Sequence, residues 1–240
     1  MKALTIKEGL LFFTIILCTL GLLAFSHVCS GIIVFDGFSE SVNKQLIYQP
    51  ATLIVALCLL FILYHTKRDV LSEYCKRGDT GAEIHPEPYV GIKPKKDENW
   101  SHIGKNFAFV ISLVTAITVY FQLINNSSTT FIHVLKSLPF AIIFAFSNSF
   151  VEEAITRLGI VVVFKGFLSD KVIPFVSAFI FGSVHYFGNP GGIAGVLLAG
   201  FLGWLLCKSI LETKGIYWAW LIHFLQDVII FAALFALSEQ

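Results

Sequence analysis

About seven long apolar runs follow one another along the chain, and they constrain its fold more than any other feature. A membrane hydrocarbon core about 30 Å thick is crossed by an α-helix of roughly 20 apolar residues. The sequence therefore predicts an all-α fold, a polytopic transmembrane helical bundle of about seven spans that forms one integral membrane domain over residues 1–240. The second, fifth and sixth runs are short, and we expect them to tilt, to extend further or to be partly re-entrant. The predicted spans are approximately 9–35, 51–65, 106–124, 138–163, 172–187, 192–207 and 216–237.

Composition excludes several other classes of protein. The chain is 56% hydrophobic and 14% charged, with 24 Phe residues, which is far more apolar than an ordinary soluble domain. Its net charge of +1 lacks the basic excess of a nucleic-acid-binding protein. The 5 cysteines are scattered without a C-x-x-C pair, so neither a disulfide framework nor a zinc knuckle is indicated. We expect a lipid bilayer as partner, no nucleic acid, and no cofactor or metal.

One long polar segment, residues 66–105, interrupts the apolar runs. It contains Gly and Pro amid mixed charges, and we expect a surface loop with room for a short amphipathic helix at its start. Of the 17 Lys and Arg residues, only Lys44 and Lys136 fall on the opposite side of the membrane, and Arg157 lies within a span. The positive-inside rule therefore places this loop and the amino terminus in the cytoplasm. Because organelle signals are absent, the expected location is a bacterial inner membrane.

Ionisable side chains inside the predicted spans are the second informative feature. A charged group at bilayer depth costs several kcal/mol to insert, so such groups are rare and usually face a protein interior or water. Their positions therefore indicate a candidate active site. The deep ionisable residues on the last spans are Glu152, Glu153, Arg157, His185, His223 and Asp227.

Helical spacing separates the two adjacent glutamates of the fourth span. Glu153 and Arg157 are four residues apart on one helix face, so they can pair. Glu152 is rotated by about 100° from Glu153, which leaves its carboxylate available for chemistry in another part of the bundle. Asn148 lies one turn before Glu152 and continues a polar stripe. For Glu153 and Arg157, a neutralised clamp between helices is an equal alternative to a role in chemistry.

Two more pairs at i,i+4 spacing lie on the fifth and seventh spans, Phe181 with His185 and His223 with Asp227. At 1.5 Å per residue from the predicted cytoplasmic ends, the carboxylates and histidines lie about 10–20 Å deep, so one pocket can hold them. We expect this pocket to open toward the cytoplasmic half of the bilayer. The residues alone favour core packing for Phe181.

Carboxylates and histidines in a poorly solvated pocket permit peptide hydrolysis without a covalent intermediate. A carboxylate can take a proton from a water that a histidine orients, and the water then attacks a carbonyl carbon. The oxyanion that develops needs hydrogen-bond donors, which His223 could supply with Asp227 fixing its tautomer. The motifs of other intramembrane proteases, H-E-x-x-H, G-x-S-G and G-x-G-D, do not occur in the sequence.

These polar residues fall into three motifs that resemble those of the CAAX-protease and bacteriocin-processing family (CPBP, or Abi) of intramembrane glutamic endopeptidases. The stretch from Gly200 to His223 also resembles the family's run between its second and third motifs. The resemblance covers about residues 137–237, which we expect to be the catalytic helical core. The motifs, in chain order, are Glu152-Glu153-x-x-x-Arg157, Phe181-x-x-x-His185 and His223-x-x-x-Asp227.

The resemblance implies a role for each matched position. Glu152 would be the general base, and His185 would help to activate the water. His223 with residue 227 would form the oxyanion site. Position 227 is Asp in this chain, where the family's prenyl-protein proteases usually carry Asn; because an ionised Asp cannot donate, Asp227 is expected to orient or charge His223. The supporting residues would be Glu153, Arg157, Phe181 and Asn148.

The leading interpretation is a metal-independent intramembrane endopeptidase that cleaves a membrane-associated protein or peptide. A proton- or ion-coupled transporter is one alternative, although the sequence shows no inverted repeat and no paired broken helices. A non-catalytic immunity or scaffold protein with the same fold is another. A further alternative is a metalloprotease in which Glu152, His185 and His223 hold zinc.

Overall fold

The computed structural model describes residues 4–125, 127–188 and 191–238, and within them the chain is helical, with isolated β-bridges but no strand. The fourth and fifth helices form one continuous segment, Phe131–Phe164, because a π-turn at Ala154–Leu158 joins them. The helices are α1 (Ile6–Val28), α2 (Glu40–Tyr74), α3 (Trp100–Val119), α4 (Phe131–Glu153), α5 (Gly159–Phe164), α6 (Ile173–Val184), α7 (Gly192–Thr213) and α8 (Tyr217–Leu237).

Six helical segments of the described chain are long and apolar enough to cross a membrane, and the shorter apolar segment Ile173–Phe187 accompanies them. This confirms the predicted all-α bundle of about seven spans. The segments differ widely in how far they are buried inside the protein. Of the most apolar stretch of each, 61% is buried in α7, but only 6% is buried in the segment formed by α3 and the π-turn that follows it. Helix α7 is therefore central, whereas α3 lies at the periphery and faces lipid.

The first span is shorter than the predicted 9–35, because α1 ends at Val28. Beyond it the chain turns at Gly31, whose φ of 79° suits glycine. The side-chain oxygen of Asn43 then accepts hydrogen bonds from the backbone N–H groups of Val34 and Phe35, at 2.9 and 2.8 Å. These apolar residues thus belong to the connection between α1 and α2.

The second span is longer than the predicted 51–65, because α2 is 35 residues long. Ser39 caps its first turn by accepting a hydrogen bond from the Val42 N–H at 3.4 Å. The helix also continues beyond a local break at Lys67, where φ is −141° and ψ is 38°. The polar loop predicted at 66–105 is accordingly shortened at both ends by α2 and α3.

Contacts between helix ends define two ends of the bundle. At the first, which we call the basic end, Lys7 Nζ donates to the Thr66 carbonyl at 2.7 Å and Lys67 pairs with Glu8. The connection between α7 and α8 lies there too, because the Ile216 N–H donates to the carbonyl of Lys76 at 2.8 Å. At the opposite end, the Ser238 hydroxyl donates to that of Ser39 at 3.0 Å. The two ends of the described chain thus lie at opposite ends of the bundle, as an odd number of crossings requires.

The segment between α2 and α3 packs on the basic end. Trp218 Nε1 donates to the Thr80 carbonyl at 3.0 Å, and Lys208 pairs with Glu212 and with Glu87 at 3.4 Å. A Cβ atom on Gly78 would lie 2.5 Å from the carbonyl oxygen of Thr213, so this approach requires glycine. The loop is therefore held against α7 and α8 by both backbone and side-chain contacts.

Candidate active site

Helix α4 places two glutamates at its end, directly before the π-turn Ala154–Leu158. Such turns contain i→i+5 hydrogen bonds and are frequent at functional sites. The side chains of Glu152 and Glu153 point to different surroundings: that of Glu152 is 22% exposed, whereas that of Glu153 is 0% exposed. The two side chains therefore point in different directions, as the helical spacing predicted.

Glu153 belongs to a fully buried cluster. Its Oε1 lies 3.2 Å from Arg157 Nη1, which confirms the predicted pairing at i,i+4 spacing. The guanidinium carbon of Arg157 lies 3.5 Å from the ring centroid of Phe181, a cation–π contact. Phe181 is itself buried and also contacts the rings of His185 and His223, with centroids 4.2 and 5.9 Å away. Its core-packing role thus includes covering the buried charge of Arg157.

His223 lies between the buried and the open sides of the site. Its Nδ1 is 2.8 Å from Glu153 Oε1, and its Nε2 is 3.6 Å from both Glu152 Oε2 and Asp227 Oδ1. The expectation that Asp227 fixes the tautomer of His223 is therefore corrected: Glu153, on a different helix, makes the short contact. Spacing along α8 could not reveal this, because the partner comes from α4.

Asn148 connects two of the predicted carboxylates. Its Nδ2 donates to Glu152 Oε1 at 3.1 Å and to Asp227 Oδ2 at 3.0 Å. Two acidic groups on α4 and α8 are thus joined through one amide. The structure brings Glu152, His223 and Asp227 together, and Asn148 holds the two carboxylates in place.

A cavity of about 170 Å³ lies beside Glu152 and His185. His185 follows the last residue of α6, and its Nδ1 is 2.7 Å from the carbonyl oxygen of Phe181. Because a carbonyl only accepts, Nδ1 carries the proton, and a neutral His185 presents Nε2 as an acceptor. The lining residues are Thr19, Leu22, Leu23, Ser26, Tyr48, Glu152, Thr156, Phe181, Val184, His185 and Gly188.

The cavity extends from the middle of the bundle, where Thr156 and Phe181 line it, toward the end opposite the basic end, which corrects the expectation that the pocket opens toward the basic end. Ser26 is in the last turn of α1, and Gly188 follows the end of the α6 segment. Tyr48 is about 12 Å along α2 from its start at the opposite end. Depths counted along single helices locate the carboxylates but do not show where neighbouring helices separate.

Several residues of the site come from helices outside the three motifs. Tyr48 lines the cavity, and Gln49 donates to Asn148 Oδ1 from Nε2 at 3.2 Å. Both precede the run 51–65, so the predicted span excluded them. The signal that could have found them is the spacing of Gln45 and Gln49, two polar residues one turn apart at the start of an apolar helix.

Within the described ranges, no group of three His, Cys, Asp or Glu side chains is arranged to hold a metal ion. Both histidines named for the zinc alternative are hydrogen-bonded through Nδ1, an arrangement that leaves the Nε2 of each ring for a ligand. His223 is bonded to Glu153, and His185 is bonded to the Phe181 carbonyl, each through Nδ1.

Comparison with known proteins agrees with the motifs. Residues 134–229 match the model of the Rce1-like family, described as type II CAAX prenyl endopeptidase Rce1-like. This range contains all three motifs and confirms the resemblance to CAAX-protease-like proteins. No curated protein and no solved structure matches the chain. The match and the apolar helices together support an integral membrane protein with a segment similar to intramembrane proteases.

Proposed function

We propose that this protein is an intramembrane endopeptidase in which Glu152 and His185 activate a water molecule to hydrolyse a peptide bond. The observation that carries the proposal is the position of Glu152. Its carboxylate lines the cavity together with His185, contacts His223 and Asn148, and belongs to the segment that matches a protease family. A cavity of about 170 Å³ has room for several waters or for one water and a peptide group.

The proposed reaction starts with a water between Glu152 and His185. His185 Nε2 accepts one water proton as a hydrogen bond and orients the water, while Glu152 removes the other proton. The water oxygen forms a bond to the carbonyl carbon, and the electron pair of the C=O bond moves to the oxygen. Protonated on both nitrogens, His223 would donate to this oxyanion through Nε2 while Nδ1 remains bonded to Glu153.

The intermediate then collapses with transfer of one proton. The C–N bond breaks, and the leaving amine takes the proton that Glu152 received from water. The products are a carboxylic acid and an amine, and Glu152 returns to its carboxylate form. In this proposal no metal takes part, and Asp227 acts through Asn148 and through the charge that it places near His223.

The expected substrate is a membrane-associated protein or peptide, because the cavity lies among helices that face lipid. The matched family's description names CAAX prenyl endopeptidases, so a prenylated CAAX peptide is a suitable first probe. We also propose a bacterial inner membrane as the location, with the amino terminus in the cytoplasm and residues 137–237 as the catalytic core. The concentration of Lys and Arg at the basic end supports this orientation.

The test is whether the purified protein, placed in lipid bicelles, cleaves a quenched fluorescent CAAX peptide. The peptide is used with and without a farnesyl group. Membrane-protein fragments from cells that express the wild type or Glu152→Gln would identify a native substrate if neither peptide is cut. Cleavage by the wild type that resists a metal chelator supports the proposal. Loss of cleavage on chelation, with recovery on adding zinc, would replace it by the metalloprotease alternative.

Absence of any wild-type-specific fragment in both assays would contradict an endopeptidase. Proton- or ion-coupled transport can be tested on the same preparation in proteoliposomes. Uptake that depends on a pH gradient and is lost in Glu152→Gln would favour the transporter alternative.

A further inference from the structure

We infer that Gln49, on α2, is a positioning residue for the reaction, since it sets the direction of the Asn148 amide and thereby the places of Glu152 and Asp227. This inference rests on the proposed function. It concerns a helix that lies outside the segment 134–229 matched to the protease family. Gln49 is buried in the described structure and does not line the cavity.

The inference follows from the donors and acceptors of one hydrogen-bonded chain. Glu152 and Asp227 present carboxylate oxygens to Asn148, so Asn148 must turn its NH₂ group toward them. Its carbonyl oxygen then points away, and only a donor can satisfy it there. That donor is Gln49 Nε2, at 3.2 Å.

The orientation of Gln49 is fixed in the same way. With its amide nitrogen toward Asn148, its Oε1 faces Ser147 and accepts that residue's hydroxyl proton at 2.6 Å. Its second N–H donates to Gln45 Oε1 at 2.9 Å. Every polar atom of the Gln49 amide thus has a partner, and only this orientation turns a donor toward Asn148 Oδ1.

Rotation of the Asn148 amide would place its carbonyl oxygen against two carboxylates. A buried acceptor facing other acceptors is unfavourable, so the carboxylates would move apart or Asn148 would leave them. The Glu152 carboxylate would then no longer be held at a fixed distance from His223 or in a fixed position within the cavity. We therefore expect changes at Gln49 to affect turnover rather than substrate binding.

The experiment compares Gln49→Leu and Gln49→Glu with the matched control Thr52→Val. Thr52 is buried on the same helix, and in the described part of the chain its hydroxyl donates only to carbonyls of that helix, those of Tyr48 and Gln49. We expect Gln49→Leu to lower kcat about tenfold with KM within about twofold. Gln49→Glu should lower kcat further, since its carboxylate would place an acceptor against the Asn148 oxygen, whereas Leu only removes the donor. Thr52→Val should keep both constants within about twofold.

A double-mutant cycle separates positioning from general loss of structure. In an Asn148→Ala background, Gln49→Leu should change kcat by less than about twofold, because its only route to Glu152 is then absent. Multiplicative losses in the double variant, or an unchanged kcat in Gln49→Leu, would overturn the inference. If Glu152→Gln is inactive while both Gln49 variants have full activity, the proposed function stands and this inference alone fails.

Discussion

The two sides of α4 differ in their access to the cavity. On one side Glu152 faces a cavity with His185 and is 22% exposed, whereas on the other Glu153 has no exposure and lies between Arg157 and His223. A proton can reach the first carboxylate from water in the cavity. The second can exchange protons only with its protein neighbours, so its position suits orientation of His223.

The sealed side is also incompletely hydrogen-bonded within the described structure. Glu153 Oε2 and the Nε and Nη2 atoms of Arg157 have no hydrogen-bond partner there. The pair is nevertheless compensated, because the guanidinium lies over Phe181 and Nη1 donates to the Thr156 hydroxyl at 2.8 Å. Neighbouring residues of one helix can thus serve chemistry and structure separately, and variants can test this division.

Removal of the buried cation should have the largest effect. Arg157→Ala leaves the Glu153 carboxylate buried beside His223 without its charge partner, and we expect a loss of about 3–5 kcal/mol in the free energy of unfolding. Unfolding in a mild detergent, followed by denaturant titration, measures this loss. Arg68→Ala, an exposed arginine on α2, is the control and should stay within about 0.5 kcal/mol. Normal unfolding of Arg157→Ala with loss of activity alone would show that Arg157 acts in chemistry.

Glu152→Gln should reduce peptide cleavage by about a hundredfold or more, since it removes the proposed general base, equivalent to about 2.7 kcal/mol or more in activation free energy. Its unfolding should match the wild type because the side chain is partly open to the cavity. Glu153→Gln is the paired variant, and we expect lower unfolding stability from the weakened contacts to Arg157 and His223. Residual activity above about a tenth of wild type in Glu152→Gln would contradict its role as general base.

Asp227→Asn tests a position between the two sides. The Asn side chain can still accept the hydrogen bond that Asn148 Nδ2 gives to Asp227 Oδ2 at 3.0 Å, but it removes a negative charge near His223. We expect a loss in kcat of about tenfold or less, corresponding to about 1.4 kcal/mol. Asp227→Leu, which removes the acceptor as well, should be less active. A loss in Asp227→Asn as deep as that in Glu152→Gln would make Asp227 part of the proton transfer.

Access to the open side can be measured by cysteine labelling. In a background without the 5 native cysteines, Val184→Cys lines the cavity and should react with a small water-soluble thiol reagent. Phe179→Cys, on the same helix, lies at a position that is 76% exposed on the outer surface of the bundle. We expect this surface to face lipid, where a thiol does not ionise, so this variant should react at least about tenfold more slowly. Reagent applied on the side opposite the basic end should label Val184→Cys faster. Faster labelling from the basic end would contradict the position of the cavity.

Spacing along single helices predicted which ionisable residues lie inside the helical spans, and it predicted the Glu153–Arg157 pair. Both predictions depend only on the local geometry of one helix. It did not predict that Glu153 contacts His223, since the contact joins residues 70 apart in sequence. It also missed Gln49, because polar residues at the start of a long helix were excluded from the predicted span. Contacts between helices depend on rotation and separation, and hydropathy along one chain does not report either quantity.

The π-turn after the two glutamates has a consequence for comparing this chain with others. A π-turn holds one residue more than a regular α-helical turn of the same length, so Ala154–Leu158 contains an insertion relative to a continuous α-helix. A homologue with a regular helix would need a one-residue alignment gap inside this segment to match both Glu152 and α5. Without that gap, every position of α5 would be compared with a neighbour about 100° away around the helix. The place of a single gap therefore distinguishes homologues that share this turn from those that reach the same site with a straight helix.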